Sequence, residues 1–230
     1  MMAKREDIAE FMATHVNKLT VGPKHFRLIV ESERIELMKH EPCENTFRAI
    51  EQAMLTSKAC DINGIVALAC ARHGCFAPNS LTDLPAGEQQ RCVDWALLRG
   101  IKTTNMSDIE RLIIYYDIMC QYIVYMKDRI GPMLPANMII DRGIGAMHVH
   151  GHQKKCFPRF HPGFIPGAGV VSGEILESLW STLNSVSPMA RTATLAHRVE
   201  MLDDHMNDSN WKKLLGMRKS LLFVAVREMS

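Results

Sequence analysis

Apolar positions along this chain recur in two periods, and the switches between them outline a mixed α/β protein. Ile8, Phe11, Met12, Val16 and Leu19 fall at helical spacing, which predicts an amphipathic helix over 3–19. Gly22-Pro23 breaks the pattern, and His25-Phe26-Arg27-Leu28-Ile29-Val30 reads as a strand. Residues 31–58 return to helical spacing, interrupted at Glu41-Pro42, with Glu44-Asn45-Thr46 placed to start a new helix through Ile50 and Leu55. After the turn Asp61-Ile62-Asn63-Gly64, the continuous apolar run 65–70 fits a buried strand.

A loop is expected over 78–90, then a helix from Val93 to Leu98 that Gly100 ends. Leu112–Tyr116 reads as a strand, and the dense apolar run from Ile118 to Met126 as a helix stopped by Gly131-Pro132. Residues 158–173 are rich in Gly and Pro and read as an ordered loop. Glu174–Leu183 predicts a helix with Ile175, Leu176, Leu179 and Trp180 on its buried side, and Pro188 is expected to end that element. A further helix over 189–201 is expected to close at Leu202-Asp203-Asp204-His205, before a last amphipathic helix over 211–226.

Composition narrows the picture without naming a function. A chain of 230 residues with 47% hydrophobic and 23% charged content fits one large globular domain with a substantial core. A net charge of +2 neither demands nor forbids nucleic acid, and the basic pairs Lys154-Lys155, Lys212-Lys213 and Arg218-Lys219 read first as solvated faces. Seven cysteines, an odd count, with no apolar leader after Met1, point to a reducing compartment and to free thiols or metal ligands. No apolar run approaches the roughly 18 residues that a membrane span requires.

Chemistry concentrates between Arg111 and Trp180. Asp117 stands just past a strand, where a side chain can face a cleft or cap the next helix. His148, His150, His152 and Cys156 follow. On a strand the three histidines share one face; on a helix His148, His152 and Cys156 do. Either geometry suits zinc, whose preferred ligands are imidazole and thiolate. Cys70, His73 and Cys75 form a tighter group that can hold zinc or simply be buried thiols. Glu174 and Glu177 lie three apart. Glu177 adjoins the apolar stripe and is expected to point inward, whereas Glu174 suits a first-turn acid at the helix dipole. Asp203, Asp204 and His205 can bind metal or form a polar helix end.

Eight segments in order carry a resemblance. They are Ala69-Cys-Ala-Arg-His-Gly-Cys75, Gly87-Glu88, Val93-Asp-Trp95, Tyr116-Asp-Ile-Met-Cys-Gln121, the 148–156 cluster, Ile165-Pro-Gly-Ala-Gly169, the Gly173–Trp180 segment and Leu202-Asp-Asp-His205. Together they resemble the KDZ (Kyakuja–Dileera–Zisupton) transposases of fungi over roughly residues 43–217. The resemblance implies an RNase H-like core of the DDE transposase type, N-terminally truncated, with a His/Cys-containing insertion and a helical C-terminal part. It divides the chain into a truncated segment 1–42 with a remnant of the first strand, a catalytic core 43–217 and a helical tail 218–230.

The resemblance matches Asp117 to the second acid of an Asp-Asp-Glu triad and Glu177, with Glu174 as a nearby alternative, to the glutamate. The first aspartate has no counterpart. Its expected position falls at Pro23, no Asp or Glu lies between Asn17 and Val30, and Asp61 is the nearest substitute. An intact triad holds two Mg²⁺ or Mn²⁺ ions about 4 Å apart. Such ions prefer oxygen ligands, so the triad and the His/Cys cluster are expected to be separate sites with different metals. The resemblance also implies DNA as partner, association with itself or a full-length transposase, and a nuclear location. Against this stand a catalytically dead remnant that binds DNA or protein, and an unrelated zinc hydrolase using the His cluster.

Overall fold

The computed structural model describes residues 4–14, 43, 61–85 and 89–228. The expected strand 25–30 and the helical stretch 31–58, Cys43 apart, lie outside the described residues.

One core is built on a parallel strand pair joined by a helix. Strand β3 (Arg111–Tyr115) carries a run of Leu, Ile and Tyr that suits a pleated surface, and pairs in parallel with β4 (Ile139–Gly143) from Arg111↔Ile139 to Tyr115↔Gly143. A parallel pair needs a crossover, here helix α3 (Met119–Ile130). Met119, Tyr122, Met126 and Ile130 recur at helical spacing, and all four are fully buried. They pack with Leu97 and Ile101 of α2 (Gln90–Thr103), Ile114 of β3, Ile144, Val149 and Cys156 beyond β4, and Phe160 of the short helix α4 (Phe157–Phe160).

A second core lies on the other side. Strands β1 (Gly64–Val66) and β2 (Thr82–Leu84) form an antiparallel pair. Ala67, Phe76 and Leu81 pack there against Leu179 and Leu183 of α5 (Ile175–Leu183) and Leu202 and Met206 of α7 (Leu195–Glu228). Helix α1 (Arg5–Thr14) buries no side chain, but Arg5 meets Asp83 of β2 at 3.0 Å and Phe11 meets the Trp95 ring at 5.1 Å between centroids. Asp83 also takes Arg198 of α7 at 2.5 Å, so one carboxylate ties two helices to the small sheet. Asn210 of α7 brackets the Phe76 backbone, accepting from its N–H at 2.7 Å and donating to its carbonyl at 2.9 Å. Asn210→Ala leaves both groups without that partner. Thermal or denaturant unfolding should report a loss of about 1–3 kcal/mol.

Several expected boundaries move. The run 65–70 is strand only to Val66, and the loop expected over 78–90 contains β2. Gly100 lies inside α2 rather than at its end, because the helix passes so close to the 67–70 segment that a Cβ there would sit 2.2 Å from Leu68 Cδ2. Pro188 opens α6 (Ser187–Thr192) at the first-turn position where its missing N–H costs nothing, while α5 has already ended at Leu183. The two helices expected over 189–226 resolve differently. α6 stops at Thr192, Thr194 then caps a new start by accepting from His197 N–H at 3.4 Å, and α7 runs unbroken through the Asp203–His205 segment. No Pro or Gly interrupts it before Gly216.

Candidate metal centre

At the C-terminal edge of the β3–β4 pair the ladder continues one residue further, Tyr116 N–H donating to Gly143 O at 3.1 Å, and the chain then leaves the sheet. Asp117 therefore stands at the strand-end edge where parallel α/β sheets collect ligands. From β4 the chain passes through Ile144-Gly145 into a 3-10 turn, His148–Gly151, which brings His148 to the same edge. Helix α5 brings Glu177 from a third direction.

The Nε2 atom of His148 lies 3.5 Å from an Asp117 carboxylate oxygen and 3.7 Å from one of Glu177. One ligand atom from each of the three falls within 4.8 Å of the others. Asp117 is 46% exposed and Glu177 62%, so the group opens onto solvent and a bulky substrate can reach it. A cavity of about 590 Å³ has Asp117, His148, Glu177 and Tyr115 among its walls, with Ala67 and Cys70 also lining it.

Glu174 plays a different part from Glu177. It stands at the N-cap of α5, yet its carboxylate reaches across to the turn. Oε1 accepts from the backbone N–H of Met147 at 2.7 Å and of His148 at 3.3 Å, while Oε2 lies 2.6 Å from His148 Nδ1. An ionised carboxylate can only accept, so the ring proton belongs on Nδ1 and the Nε2 lone pair faces Asp117 and Glu177. Gly145 makes room for this brace: a Cβ there would sit 2.2 Å from Glu174 Oε1 and 2.5 Å from Cδ.

A second group lies behind the first. Cys43, Cys120 in the first turn of α3, His152 and Cys156 also bring one ligand atom each within 4.8 Å of one another. His152 Nδ1 is 3.5 Å from Cys43 Sγ and 3.4 Å from Cys120 Sγ, and the Cys43 and Cys156 sulfurs are 3.8 Å apart. Burial pushes the Cys120 thiol up, with Cys43 and Cys156 adding to it, and pushes the Cys156 thiol up, with Cys43 adding and Cys120 and Lys155 opposing. Burial also lowers the pKa of His152, opposed by the nearby Asp117 backbone. Together the four groups form a Cys3His set that can hold a metal such as zinc.

The 148–156 cluster is thus divided. His148 joins the carboxylates, His152 and Cys156 join two other cysteines, and His150 is exposed and rests on Phe157 at 5.2 Å between ring centroids. Cys70 Sγ meets His73 Nδ1 at 3.4 Å, but Cys75 does not complete a three-ligand group with them. Asp61 lies exposed in a bend, and neither it nor Asp203, Asp204 or His205 belongs to either group. Sequence reasoning gave no role to Cys43 or Cys120. Cys120 was within reach, three residues after Asp117 in a motif already singled out; Cys43 carries no local spacing signal.

Carboxylates and an imidazole at the strand-end edge of a parallel βαβ unit define an α/β domain with an oxygen- and nitrogen-lined cleft that could hold a metal ion. The particular family follows from comparison of the sequence. A family model described as Kyakuja-Dileera-Zisupton transposase (KDZ) matches residues 1–210, and the chain belongs to that family. No curated protein and no solved structure matches the chain. Among the described residues, no helix is long and apolar enough to cross a membrane.

Proposed function

We propose that this transposase-derived domain cleaves and rejoins DNA phosphodiesters with a divalent ion held by Asp117, His148 and Glu177. The observation that carries the reading is the convergence of three ligand atoms, from a strand end, a turn and a helix, within 4.8 Å of one another. The donor set fits such an ion: two carboxylates supply charge, and Glu174 fixes the imidazole with its lone pair outward. When bound, the ion supplies Lewis-acid neutralisation of charge developing on a phosphodiester. The chain's own residues do the rest. Asp117 and Glu177 set the direction of approach, and Glu174 keeps the His148 proton on Nδ1. An imidazole beside two carboxylates favours Mn²⁺ over Mg²⁺, which takes nitrogen poorly.

An RNase H-like core agrees with the antiparallel pair, the parallel βαβ pair, the acid directly after β3 and the glutamate on α5. Acting on DNA, the domain would work in the nucleus, with a second copy or a longer transposase as partner. One observation favours a second reading, a catalytically dead DNA- or protein-binding module: no acid lies between Asn17 and Val30, where the family's first aspartate is expected.

Supercoiled-plasmid nicking by the purified chain separates them. The expected result is nicking supported better by Mn²⁺ than by Mg²⁺. Asp117→Asn should lose it by about 100-fold or more, the scale of several kcal/mol of charge stabilisation. Retained DNA binding without nicking would establish the binding module instead. Neither activity would leave a folded relic.

A further inference from the structure

We propose that Cys43, Cys120, His152 and Cys156 hold one structural zinc ion, and that this ion positions the metal cleft beside it. A tetrahedral ion with Zn–S of about 2.3 Å and Zn–N of about 2.0–2.1 Å sets its sulfurs ~3.8 Å apart and its sulfur–nitrogen pairs ~3.5 Å apart. The chain presents a sulfur pair at 3.8 Å and sulfur–nitrogen pairs at 3.5 and 3.4 Å. Those match three of the six edges of a zinc tetrahedron, and all four ligand atoms lie within 4.8 Å of one another.

Other accounts of the cluster fit worse. A disulfide needs its sulfurs about 2.05 Å apart, far inside the 3.8 Å between Cys43 and Cys156. Mg²⁺ and Ca²⁺ avoid thiolates, whereas three sulfurs and an imidazole in a tetrahedron select zinc. Four protein ligands close the coordination sphere, which is the mark of a structural site rather than a catalytic one. The surroundings suit a thiolate-rich ion as well. Gln153 N–H points at Cys43 Sγ at 3.4 Å, and the Lys155 charge acts on Cys156.

The ligands come from separate stretches: Cys43 upstream, Cys120 on α3, and His152 and Cys156 beyond β4. Zinc would therefore clamp the 148–156 segment onto the start of α3. Asp117 lies three residues before Cys120 and His148 four before His152, so the clamp sets the distance between two groups of the cleft. These four residues act through the others and are positioning residues.

The test uses the full chain, purified without added metal, and needs no DNA. Elemental analysis is expected to find one zinc per chain, and zinc X-ray absorption a shell of three sulfurs and one nitrogen. Exchange with Co²⁺ should produce thiolate-to-cobalt charge-transfer bands. Cys156→Ser should abolish stoichiometric zinc, while Cys70→Ser should retain it. The absorption measurement on the unmodified chain stands even if Cys156→Ser fails to fold. A wild-type chain that binds neither zinc nor cobalt, a zinc shell without sulfur, or loss of zinc in Cys70→Ser alone would overturn the assignment. Because the readout is metal content, failure here is distinct from failure to nick DNA.

Discussion

Asp94→Ala is expected to destabilise the domain by about 3–5 kcal/mol, lowering the melting point by roughly 6–20 °C for a domain of this size. Asp94 is fully buried on α2. It receives Arg129 Nε at 2.7 Å, Arg129 Nη2 at 3.1 Å and the Tyr122 hydroxyl at 2.6 Å, both partners coming from α3. Removing the carboxylate strands a guanidinium only 1% exposed. Burial and Asp94 also hold the Tyr122 phenol well above its ordinary pKa, so it remains a donor throughout the physiological range. The paired replacement Asp94→Leu with Arg129→Met should cost much less than Asp94→Leu alone, because a buried ion pair replaced on both sides leaves no orphan charge. Equal losses would show that packing, not the pair, holds α2 to α3. Urea unfolding of the three variants decides it.

The second large effect falls on metal binding rather than stability. Glu174→Gln keeps an oxygen for the Met147 and His148 N–H groups but turns an N–H₂ donor toward His148 Nδ1. The ring then favours its other tautomer, with the proton on Nε2 facing Asp117 and Glu177. Loss of such a carboxylate–histidine brace typically weakens metal affinity 10–100-fold. Mn²⁺ titration followed by electron paramagnetic resonance should show that loss with little change in the unfolding midpoint. Gly145→Ala should give a similar loss by another route, since its methyl group must displace the same carboxylate. Unchanged Mn²⁺ affinity in both variants would exclude His148 as a ligand.

How much of this was legible in the sequence depended on how local the signal was. The β3–α3 unit was visible because Leu112–Tyr116 is a short β-rich run and Met119, Tyr122 and Met126 keep helical spacing. Asp117 and Glu177 were named from their places beside those patterns, but Glu177, expected to point inward, is 62% exposed, and Glu174 is the more buried of the two at 16%. Breakers were harder to read. Gly100 looked like a helix end, but its meaning depends on Leu68, thirty-two positions away and invisible to any window. The histidines were misleading for a geometric reason. A 3-10 turn of three residues per revolution sends His148 and His150 in directions about 120° apart, and His152 has already left the turn in extended backbone, so the three do not share a target. Cys43 and Asp94 acquire their roles only through tertiary contacts.

That division of labour fixes the length of the turn. His148 addresses the carboxylates from its first position and His152 the thiols from the extended residue just beyond it, so a residue inserted or deleted between them would re-aim one ring and break one set. The exposed stretch around Gly167 has no such obligation: a Cβ at Gly167 would meet nothing within 4 Å, although its φ of +80° favours glycine. Homologous chains that vary in length should therefore do so after Phe160, while the interval from His148 to His152 stays at four.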